Sequence, residues 1–312
     1  MRAMIYREYG EPAKLELTDL PAPEPAEGQV LVRVMASSVN PIDWKRSTGA
    51  LRVIMPACFP LTPGYDIAGE IAKVGPGVEG FRVGQRVHAR IGEPIGGASA
   101  ELALAGVDVV APMPDAMDMV TAAGLPLAGM TALQGLRDQC ELPLENASAR
   151  VLVVGASGGV GHLAVQIAKR CGAYVVGVCS AKNAEMVKSL GADEIIDYTK
   201  PNAYEGHAPF DVVLDCVAGE PGKWLPLLAP KGRYASCLPG PAVFLRSAMN
   251  VATDKKVRPV LLHSRASDLA ILDGMGLRVV VDSRFPLEQL AAAWERSRTG
   301  RAAGKIIVDV AR

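Results

Sequence analysis

The pattern of apolar and polar residues differs between two regions of the 312-residue chain. Up to about residue 117, short alternating runs are separated by Gly and Pro, which predicts a β-rich region built as a closed or partly closed small barrel. From about residue 118, strand-like runs alternate with helical stretches, which predicts a parallel sheet covered on both faces. The tail from Leu277 to Val310 predicts a strand, an amphipathic helix and a final strand that return to the first region.

The stretch VLVVGASGGVGHLAVQIAK, residues 151–169, joins an apolar strand to a helix through a loop of small residues. Three glycines at this spacing permit a tight turn, close approach of a ligand and close packing of the helix. The N–H groups and dipole at the start of the helix suit a pyrophosphate. A second strand, Tyr174–Cys179, completes a βαβ unit and predicts dinucleotide binding. The loop residues expected at the dinucleotide are Gly155, Ser157, Gly158, Gly159, Val160 and Gly161.

The segment after this second strand bears on which dinucleotide binds. An acidic residue at the strand end ordinarily accepts hydrogen bonds from the adenosine ribose and repels a 2′-phosphate. Here Cys179 and Ser180 hold that position, and Lys182 and Asn183 follow. A hydroxyl, an ammonium and an amide can all bind a phosphate, and we expect no carboxylate to oppose it, so NADPH is favoured. In the alternative interpretation, Ser180 and Asn183 cap the helix at 184–190 and Lys182 is solvated; both can hold together.

Charge and hydropathy exclude several classes of partner. Lys plus Arg and Asp plus Glu number 33 each, and basic residues do not cluster with aromatic ones, so we expect no nucleic-acid partner. The first residues, MRAMIYREYGEP, contain no apolar core typical of a secretion signal. The uncharged segment 119–136 contains Pro126 and several glycines, which suits a buried helix broken near that proline better than a membrane span.

Cysteine usage points to a reducing compartment. The six cysteines, without a CxxC motif, lie at positions 58, 140, 171, 179, 216 and 237. We interpret them as reduced core residues of a cytoplasmic protein rather than as disulfides or zinc ligands.

Six motifs taken together resemble a known family. They are SVNPIDWKRSTG, PGYDIAGEIAKVGPGV, GMTALQGL, GASGGVGHLAVQIAK, SLGADEIIDY and AAGKIIV. Along nearly its whole length, the chain resembles the zinc-free quinone oxidoreductase and alkenal/enone reductase branch of the medium-chain dehydrogenase/reductase superfamily. The resemblance implies an α/β protein with a GroES-like barrel domain for substrate and catalysis, residues 1–117 and 264–312. It also implies a Rossmann-like, doubly wound NADPH-binding domain, residues 118–263, an active site between the two, and a homodimer.

The chain departs from the zinc-dependent members of that superfamily. Those members carry Cys at the position of Asn40, a His-Glu pair at the positions of Tyr65 and Asp66, and a four-cysteine lobe after His88. Asn40 and Tyr65 are poor zinc ligands and residues 88–101 contain no cysteine, so we expect no metal. Direct alcohol oxidation then lacks its usual stabilisation of an alkoxide. Quinones and α,β-unsaturated carbonyls delocalise the incoming charge, so hydrogen-bond donors can suffice.

The resemblance places four residues, Asn40, Asp43, Lys45 and Tyr65, beside the nicotinamide. Lys45 would reach a phosphate or a carbonyl oxygen, Tyr65 would donate to a developing enolate, and Asn40 would orient the substrate. Many quinone oxidoreductases carry Tyr at the position of Lys45, which makes that role the hardest to transfer. In the alternative interpretation, Asp43 and Asn40 only fix the loop after the strand and Tyr65 only packs.

The resemblance adds further cofactor contacts in the second domain. Thr131 would lie near the nicotinamide and Tyr198 near the adenosine, although Tyr198 can equally close a surface turn. The next phosphate or nicotinamide contact falls on Ser236, Cys237 and Leu238. Gly219 would permit close backbone approach at the carboxyl edge of the sheet.

The sequence therefore predicts an NADPH-dependent reductase of quinones or enones. Two alternatives stay open: an NADPH-dependent aldehyde/alcohol oxidoreductase, and a noncatalytic dinucleotide-binding protein with a structural or regulatory role. The expected partner is a small-molecule acceptor, with no membrane.

Overall fold

A computed structural model describes residues 1–92, 97–207 and 209–311 of the protein. These residues cluster into two compact units. Unit 1 comprises Met1–Leu127, Ser264–Gly274 and Val279–Arg312, and unit 2 comprises Ala128–His263 and Met275–Arg278. Each unit has its own sheet.

The strands and helices are numbered here in chain order. The strands are β1 Arg2–Ile5, β2 Glu16–Asp19, β3 Gln29–Val39, β4 Asp66–Val74, β5 Arg86–Arg90, β6 Leu102–Gly106, β7 Val110–Pro112, β8 Arg150–Val154, β9 Tyr174–Cys179, β10 Glu194–Asp197, β11 Phe210–Asp215, β12 Leu228–Ser236, β13 Lys256–Pro259, β14 Val281–Pro286 and β15 Lys305–Asp309. The helices are α1 Pro41–Ser47, α2 Met119–Gly124, α3 Pro126–Gln134, α4 Gly161–Arg170, α5 Ala184–Ser189, α6 Pro221–Trp224, α7 Pro241–Ala248, α8 Ala266–Gly274 and α9 Leu290–Arg298.

Unit 1 is built around the long strand β3. In the sheet order β14-β15-β3-β4-β5-β7, β3 pairs antiparallel with β4 and β15, and β6 also pairs with β3. The inward side chains of these strands, among them Val32, Ile67 and Val87, form one apolar core with Trp294 of α9. Because β15 pairs with β3, the C-terminal tail joins this sheet, as its pattern predicts.

Residues 118–127 lie in unit 1, although the resemblance assigns them to the second domain. The reason is the packing of α2, because Ala122 and Ala123 are buried against Ala36 of β3, Ala68 of β4 and Ile307 of β15. The predicted break at Pro126 is confirmed, since α2 ends at Gly124 and α3 begins at Pro126.

Unit 2 has a parallel six-stranded sheet in the order β10-β9-β8-β11-β12-β13. The chain runs outward from β8 to β10 on one side and from β11 to β13 on the other, so the strand order reverses between β8 and β11. This is the doubly wound arrangement that the family resemblance implies, and ligands of such sheets bind outside the carboxyl ends of the strands near that reversal. Among the described residues, no helix is long and apolar enough to cross a membrane.

Candidate functional site

The loop between β8 and α4 has the geometry that its glycines predict. Gly155 adopts a φ of 74°, a left-handed conformation that favours glycine. A Cβ on Gly161 would lie 2.1 Å from the carbonyl oxygen of Gly155, so α4 can start this close to the loop only with glycine there. At Gly158 the same distance would be 3.3 Å, a milder constraint. The glycines therefore let α4 begin close to the end of β8, and the free N–H groups at the N-terminus of α4 suit a phosphate.

Two polar side chains join this loop to the segment after β9. Asn183 donates through Nδ2 to the Ser157 hydroxyl at 3.0 Å. In the described part of the chain, neither Ser180 nor Asn183 makes a side-chain cap to the helical turns that follow them. The capping alternative for these two side chains is therefore wrong. Ser180 is partly exposed and Lys182 is exposed, so both are accessible to a ligand at this edge.

A carboxylate that sequence reasoning missed lies beside this segment. Asp197 ends β10 and pairs in register with Cys179. It accepts hydrogen bonds from the backbone and hydroxyl of Thr199, which, with the Ala181 backbone, lower the pKa of Asp197. The expectation that no carboxylate opposes a phosphate here is therefore wrong, because the register of β9 and β10 places Asp197 at the same edge. Its neighbour Tyr198 is 57% exposed.

The loops after β11 and β12 contact each other closely. Gly219 has a φ of 65°, and a Cβ on it would lie 2.4 Å from the carbonyl oxygen of Leu238. The buried Ser236 hydroxyl accepts from the Leu238 backbone at 3.3 Å. Asp215, which the sequence reasoning did not single out, ends β11 and accepts from the backbone N–H of Gly219 and from the Tyr234 hydroxyl. Its carboxylate thus fixes the first of the two loops.

The other candidate of unit 2 is Thr131, which lies on α3 and is 7% exposed. Unit 2 thus places the glycine loop, the segment at 180–183, Tyr198 and the loops at Gly219 and Leu238 on the carboxyl side of one parallel sheet.

Unit 1 contains a buried polar cluster centred on Asn40. The Asn40 amide donates to Asp66 Oδ2 at 2.8 Å, and its oxygen accepts from Lys305 Nζ at 2.6 Å. Ser38 also donates to Asp66 Oδ2 at 2.8 Å, and the Leu127 backbone donates to Oδ1 at 2.9 Å. Lys305 lies 3.7 Å from Asp66 and burial lowers the pKa of its ammonium. Asn40 directly follows β3, and side chains of β4 and β15 therefore fix both ends of its amide.

Sequence reasoning missed Lys305, although the motif AAGKIIV contains it. An available signal was a lone lysine that begins a run of apolar residues, because a charge in a buried strand needs a partner.

Asp43 holds the start of α1. Its Oδ2 accepts from the Asn40 backbone at 2.7 Å, so the loop-fixing role proposed for Asp43 is present. Its Oδ1 is buried without a hydrogen-bond partner in the described residues. Burial, together with the charge of Asp66, raises the pKa of Asp43 to about 8, and the hydrogen bond from Asn40 opposes that rise. The carboxyl is therefore mostly protonated at neutral pH.

Tyr65 and Lys45 have different surroundings. Tyr65 is 1% exposed and its hydroxyl accepts from Arg46 at 3.2 Å, while burial raises its pKa. Tyr65, Asp43, Arg46 and Tyr6 line a narrow cavity with no room for a water molecule. Lys45 is partly exposed, with Nζ 5.6 Å from the centre of the Trp44 ring. Lys45 is therefore the most accessible of the three catalytic candidates.

Comparisons with known proteins agree with this architecture. The model for an alcohol dehydrogenase GroES-like domain matches residues 26–115, and a model described as zinc-binding dehydrogenase matches residues 190–308. A chloroplast envelope quinone oxidoreductase homolog of Arabidopsis thaliana is 38% identical, with 99% of this chain and 98% of the relative covered. The chain belongs to the medium-chain dehydrogenase/reductase superfamily. Its branch is that of the quinone oxidoreductases and alkenal/one reductases.

Two further matches span this medium-chain dehydrogenase/reductase chain. An NADPH-dependent alkenal/one oxidoreductase from Arabidopsis thaliana chloroplasts is 33% identical, covering 99% of this chain and 79% of the relative. The solved structure of the quinone oxidoreductase from Coxiella burnetii superimposes with a TM-score of 0.89 at 30% identity, covering 100% of this chain and 99% of that one.

The residues of this medium-chain dehydrogenase/reductase do not fit the zinc ion that one family model's description implies. Asp66 accepts from Ser38, Asn40 and the Leu127 backbone, and the Lys305 ammonium already provides a positive charge beside it. In the described ranges, no group of three or more His, Cys, Asp or Glu residues is arranged to hold a metal. Asn40 and Tyr65 add no good ligand.

The cysteine expectation holds only in part. All six cysteines are free, and Cys140, Cys171 and Cys179 are buried as expected. Cys58 is exposed and Cys216 and Cys237 are partly exposed, so these three are not core residues. Cys58 follows the turns after α1, and the other two lie just beyond strand ends, where backbone leaves the core.

Proposed function

We propose that this protein is an NADPH-dependent reductase that transfers hydride to quinones or α,β-unsaturated carbonyl compounds without zinc. The observation that carries the proposal is the glycine loop, where Gly155 and Gly161 let α4 begin close beside the carboxyl end of β8 in a doubly wound sheet. Relatives named quinone oxidoreductase and alkenal/one oxidoreductase support the choice of acceptor.

The cofactor contacts follow the edge of the sheet in unit 2. The backbone from Gly155 to Gly161 would hold the pyrophosphate, and Ser180, Lys182 and Asn183 would hold the 2′-phosphate. Tyr198 would stack beside the adenosine, since most of its ring is exposed. The remaining contacts in unit 2 are Thr131, Gly219, Ser236, Cys237 and Leu238. In unit 1, Lys45 would be a further contact. Bound NADPH would supply the hydride from C4 of its dihydronicotinamide.

Charges of both signs act on the preference for NADPH, because Asp197 lies at the same edge as Lys182. Its carboxylate would repel a 2′-phosphate, but Thr199 and the Ala181 backbone already donate to it. The exposed ammonium of Lys182 favours the phosphate. The name of the alkenal/one oxidoreductase relative includes NADPH.

The acceptor would be held by the polar residues of unit 1. Asn40 would orient it, because Lys305 and Asp66 fix the direction of the Asn40 amide. The Lys45 ammonium would stabilise the oxygen on which negative charge develops. Tyr65 would donate to the enolate only where the acceptor oxygen enters the narrow cavity that Tyr65 lines, and the Tyr65→Phe variant tests that contact. Hydride addition to the β-carbon of an enone, followed by a proton at the α-carbon, gives the saturated carbonyl.

We also propose that the protein is a homodimer formed through one face of unit 2. The edge strand β13 lies beside exposed apolar side chains of α7 and the turn after it, namely Phe244, Leu245, Met249 and Val251, and Leu261, which follows β13, is exposed too. The Asn250 side chain donates to the Val257 carbonyl and accepts from the Val257 N–H, so it ties that turn to the outer edge of β13 and covers the edge there. We therefore assign the contact with a second copy to the exposed apolar patch rather than to strand pairing.

Size-exclusion chromatography with light scattering measures the mass of the protein in solution and so tests the dimer. Val251→Asp places a charge on a fully exposed position of the patch and should shift the mass from dimer to monomer. Val53→Asp, at a similarly exposed position of unit 1, is the matched control and should leave the dimer intact. A monomeric wild-type protein would refute this part of the proposal.

A cytoplasmic location completes the proposal, and the free cysteines support a reducing compartment. Relatives include chloroplast and mitochondrial proteins, so a fluorescent fusion imaged in the source cells is the relevant test. Fluorescence confined to an organelle would refute it.

Turnover with matched acceptors tests the activity. The protein is mixed with NADPH and a quinone, a 2-alkenal or the corresponding saturated aldehyde, and loss of the reduced-cofactor absorbance is followed. We expect turnover with the quinone or the alkenal and none with the saturated aldehyde. Turnover with the saturated aldehyde alone would favour the aldehyde reductase, and none with any acceptor would favour a noncatalytic nucleotide-binding protein.

A further inference from the structure

Two cysteines meet at the carboxyl edge of the sheet in unit 2. Cys216 directly follows β11 and Cys237 directly follows β12, and their sulfur atoms lie 3.8 Å apart. Both are partly exposed. We propose that Cys216 and Cys237 are a redox modification site that forms a reversible intramolecular disulfide when the protein meets hydrogen peroxide.

The backbone geometry suits that bond. Asp215 and Ser236 are partners in the parallel register of β11 and β12, so the next residues, Cys216 and Cys237, continue the same register. The Cys237 N–H donates to the Asp215 carbonyl at 2.8 Å, which extends the ladder to this point. Neighbouring strands are about 4.8 Å apart, within the range of Cα separations that a disulfide bridges. To bond, the sulfur atoms must approach from 3.8 Å to about 2.0 Å.

The two thiols have different surroundings. Contact with Cys237, burial and the nearby Asp215 raise the pKa of Cys216 well above its usual value. We assign the first reaction with peroxide to Cys237, because Asp215, which ends β11 directly before Cys216, disfavours a negative charge on the Cys216 sulfur.

Formation of the disulfide needs hydrogen peroxide as its only co-reactant. The Cys237 thiolate attacks one peroxide oxygen, the O–O bond breaks, and Cys237 becomes a sulfenic acid while the other oxygen leaves as water after taking a proton. The Cys216 sulfur then attacks the Cys237 sulfur, loses its proton and displaces the sulfenic hydroxyl as a second water. Two thiols are oxidised to one disulfide, and one peroxide is reduced to two waters.

The crosslink would join the two loops that carry Gly219 and Leu238. These loops already contact each other at the Leu238 carbonyl, so the bond would fix their spacing. If a nucleotide occupies this edge, as the proposed function requires, it should shield the sulfurs from peroxide.

Peptide mapping after oxidation tests the site. The reduced full-length protein is treated with hydrogen peroxide, remaining thiols are alkylated, and crosslinked peptides are identified by mass spectrometry. We expect a Cys216–Cys237 crosslink that dithiothreitol reverses. The exposed Cys58 serves as an internal gauge of peroxide dose. A dose that oxidises Cys58 and leaves both other thiols alkylated would overturn the proposal, as would a crosslink from Cys237 to Cys140.

Variants separate the two steps of the reaction. In Cys216→Ser, the sulfenic acid on Cys237 should persist and react with dimedone. The control variant Cys171→Ser replaces a buried cysteine at the C-terminal end of α4, and it should leave the crosslink unaffected. Absence of dimedone labelling in Cys216→Ser would show that Cys237 is not the first thiol to react.

To measure how far a bound nucleotide shields the two sulfurs from peroxide, the oxidation is repeated with NADP⁺, which is not itself a reductant. Saturating NADP⁺ should slow formation of the crosslink several-fold. Calorimetry on the same sample shows separately whether NADP⁺ binds. If NADP⁺ binds without slowing oxidation, the prediction that the nucleotide shields the two sulfurs is wrong. If NADP⁺ does not bind but the crosslink forms, the proposed cofactor site is wrong and the proposed disulfide site is supported.

Discussion

The glycine loop of unit 2 and the buried cluster of unit 1 are built in opposite ways. The loop is continuous in the chain, and each of its constraints, such as the φ of Gly155 and the contact of Gly161 with Gly155, involves near neighbours. The cluster joins Asn40, Asp66 and Lys305 from three strands. Its geometry depends on strand register, because Ser38 pairs with Asp66 and Val39 with Ile306. A local motif can thus be read from the chain, whereas a cross-strand cluster needs the fold.

The largest expected effect comes from removing the charge that the cluster buries. Lys305→Met removes the ammonium that lies 3.7 Å from the buried Asp66 carboxylate, and it should lower the free energy of unfolding by about 3 kcal/mol, because the Arg90 charge still acts on Asp66. Urea unfolding followed by circular dichroism measures it. Adding Asp66→Asn to that variant should recover part of the loss. An unchanged midpoint for Lys305→Met would contradict the importance of the pair.

The glycine loop should respond according to the space at each glycine. Gly161→Ala forces a Cβ against the Gly155 carbonyl and should cost about 1–3 kcal/mol in stability, with weaker nucleotide binding. Gly158→Ala, with more room, is the matched control and should change both far less. Calorimetric titration with NADPH and thermal unfolding measure the two effects. Equal behaviour of the two variants would show that close packing at Gly161 is not required.

Asp43 should make stability depend on pH. Its pKa is about 8 in the folded protein against about 3.8 for an aspartate side chain in water, so between these pH values the folded state binds the extra proton. Stability from this group is therefore full below about pH 4 and declines as pH rises toward 8, by up to about 1.4 kcal/mol per pH unit.

Asp43→Asn tests this dependence, because an amide does not titrate and its oxygen can still accept from the Asn40 backbone. The slope of unfolding free energy between pH 5 and 7, measured by urea titration, should become less negative in the variant, on the order of 1 kcal/mol per pH unit. Parallel pH profiles for variant and wild type would show that Asp43 is ionised when buried.

The smallest effect concerns the two buried tyrosines of the cavity in unit 1. Tyr65→Phe should lower kcat about tenfold, the loss of one hydrogen-bond donor to the developing charge, with little change in NADPH affinity. Tyr6→Phe removes a buried hydroxyl from the same cavity and should leave kcat unchanged. If both variants keep the wild-type rate, Tyr65 only packs.

The sequence predicts those features that neighbouring residues determine. Strand β9 spans the residues that its apolar run predicts, and the break at Pro126 follows from the missing N–H of proline. Lys305 and Asp197 were missed because each acts on a residue of another strand, and only the register brings them together. The exposure of Cys58 was missed for a related reason, since an apolar neighbourhood in the chain does not establish burial in the fold.

The central claim is that the edge of unit 2 binds a reduced nicotinamide nucleotide with its 2′-phosphate at Ser180 and Lys182. Calorimetric titration of the nucleotide-free protein with NADPH and with NADH, repeated on Lys182→Ala and on the exposed control Lys188→Ala, tests it most directly. The account predicts tighter binding of NADPH than of NADH, a difference that Lys182→Ala reduces about tenfold and Lys188→Ala preserves. No binding of either nucleotide, or an equal loss of both in Lys182→Ala, would contradict it.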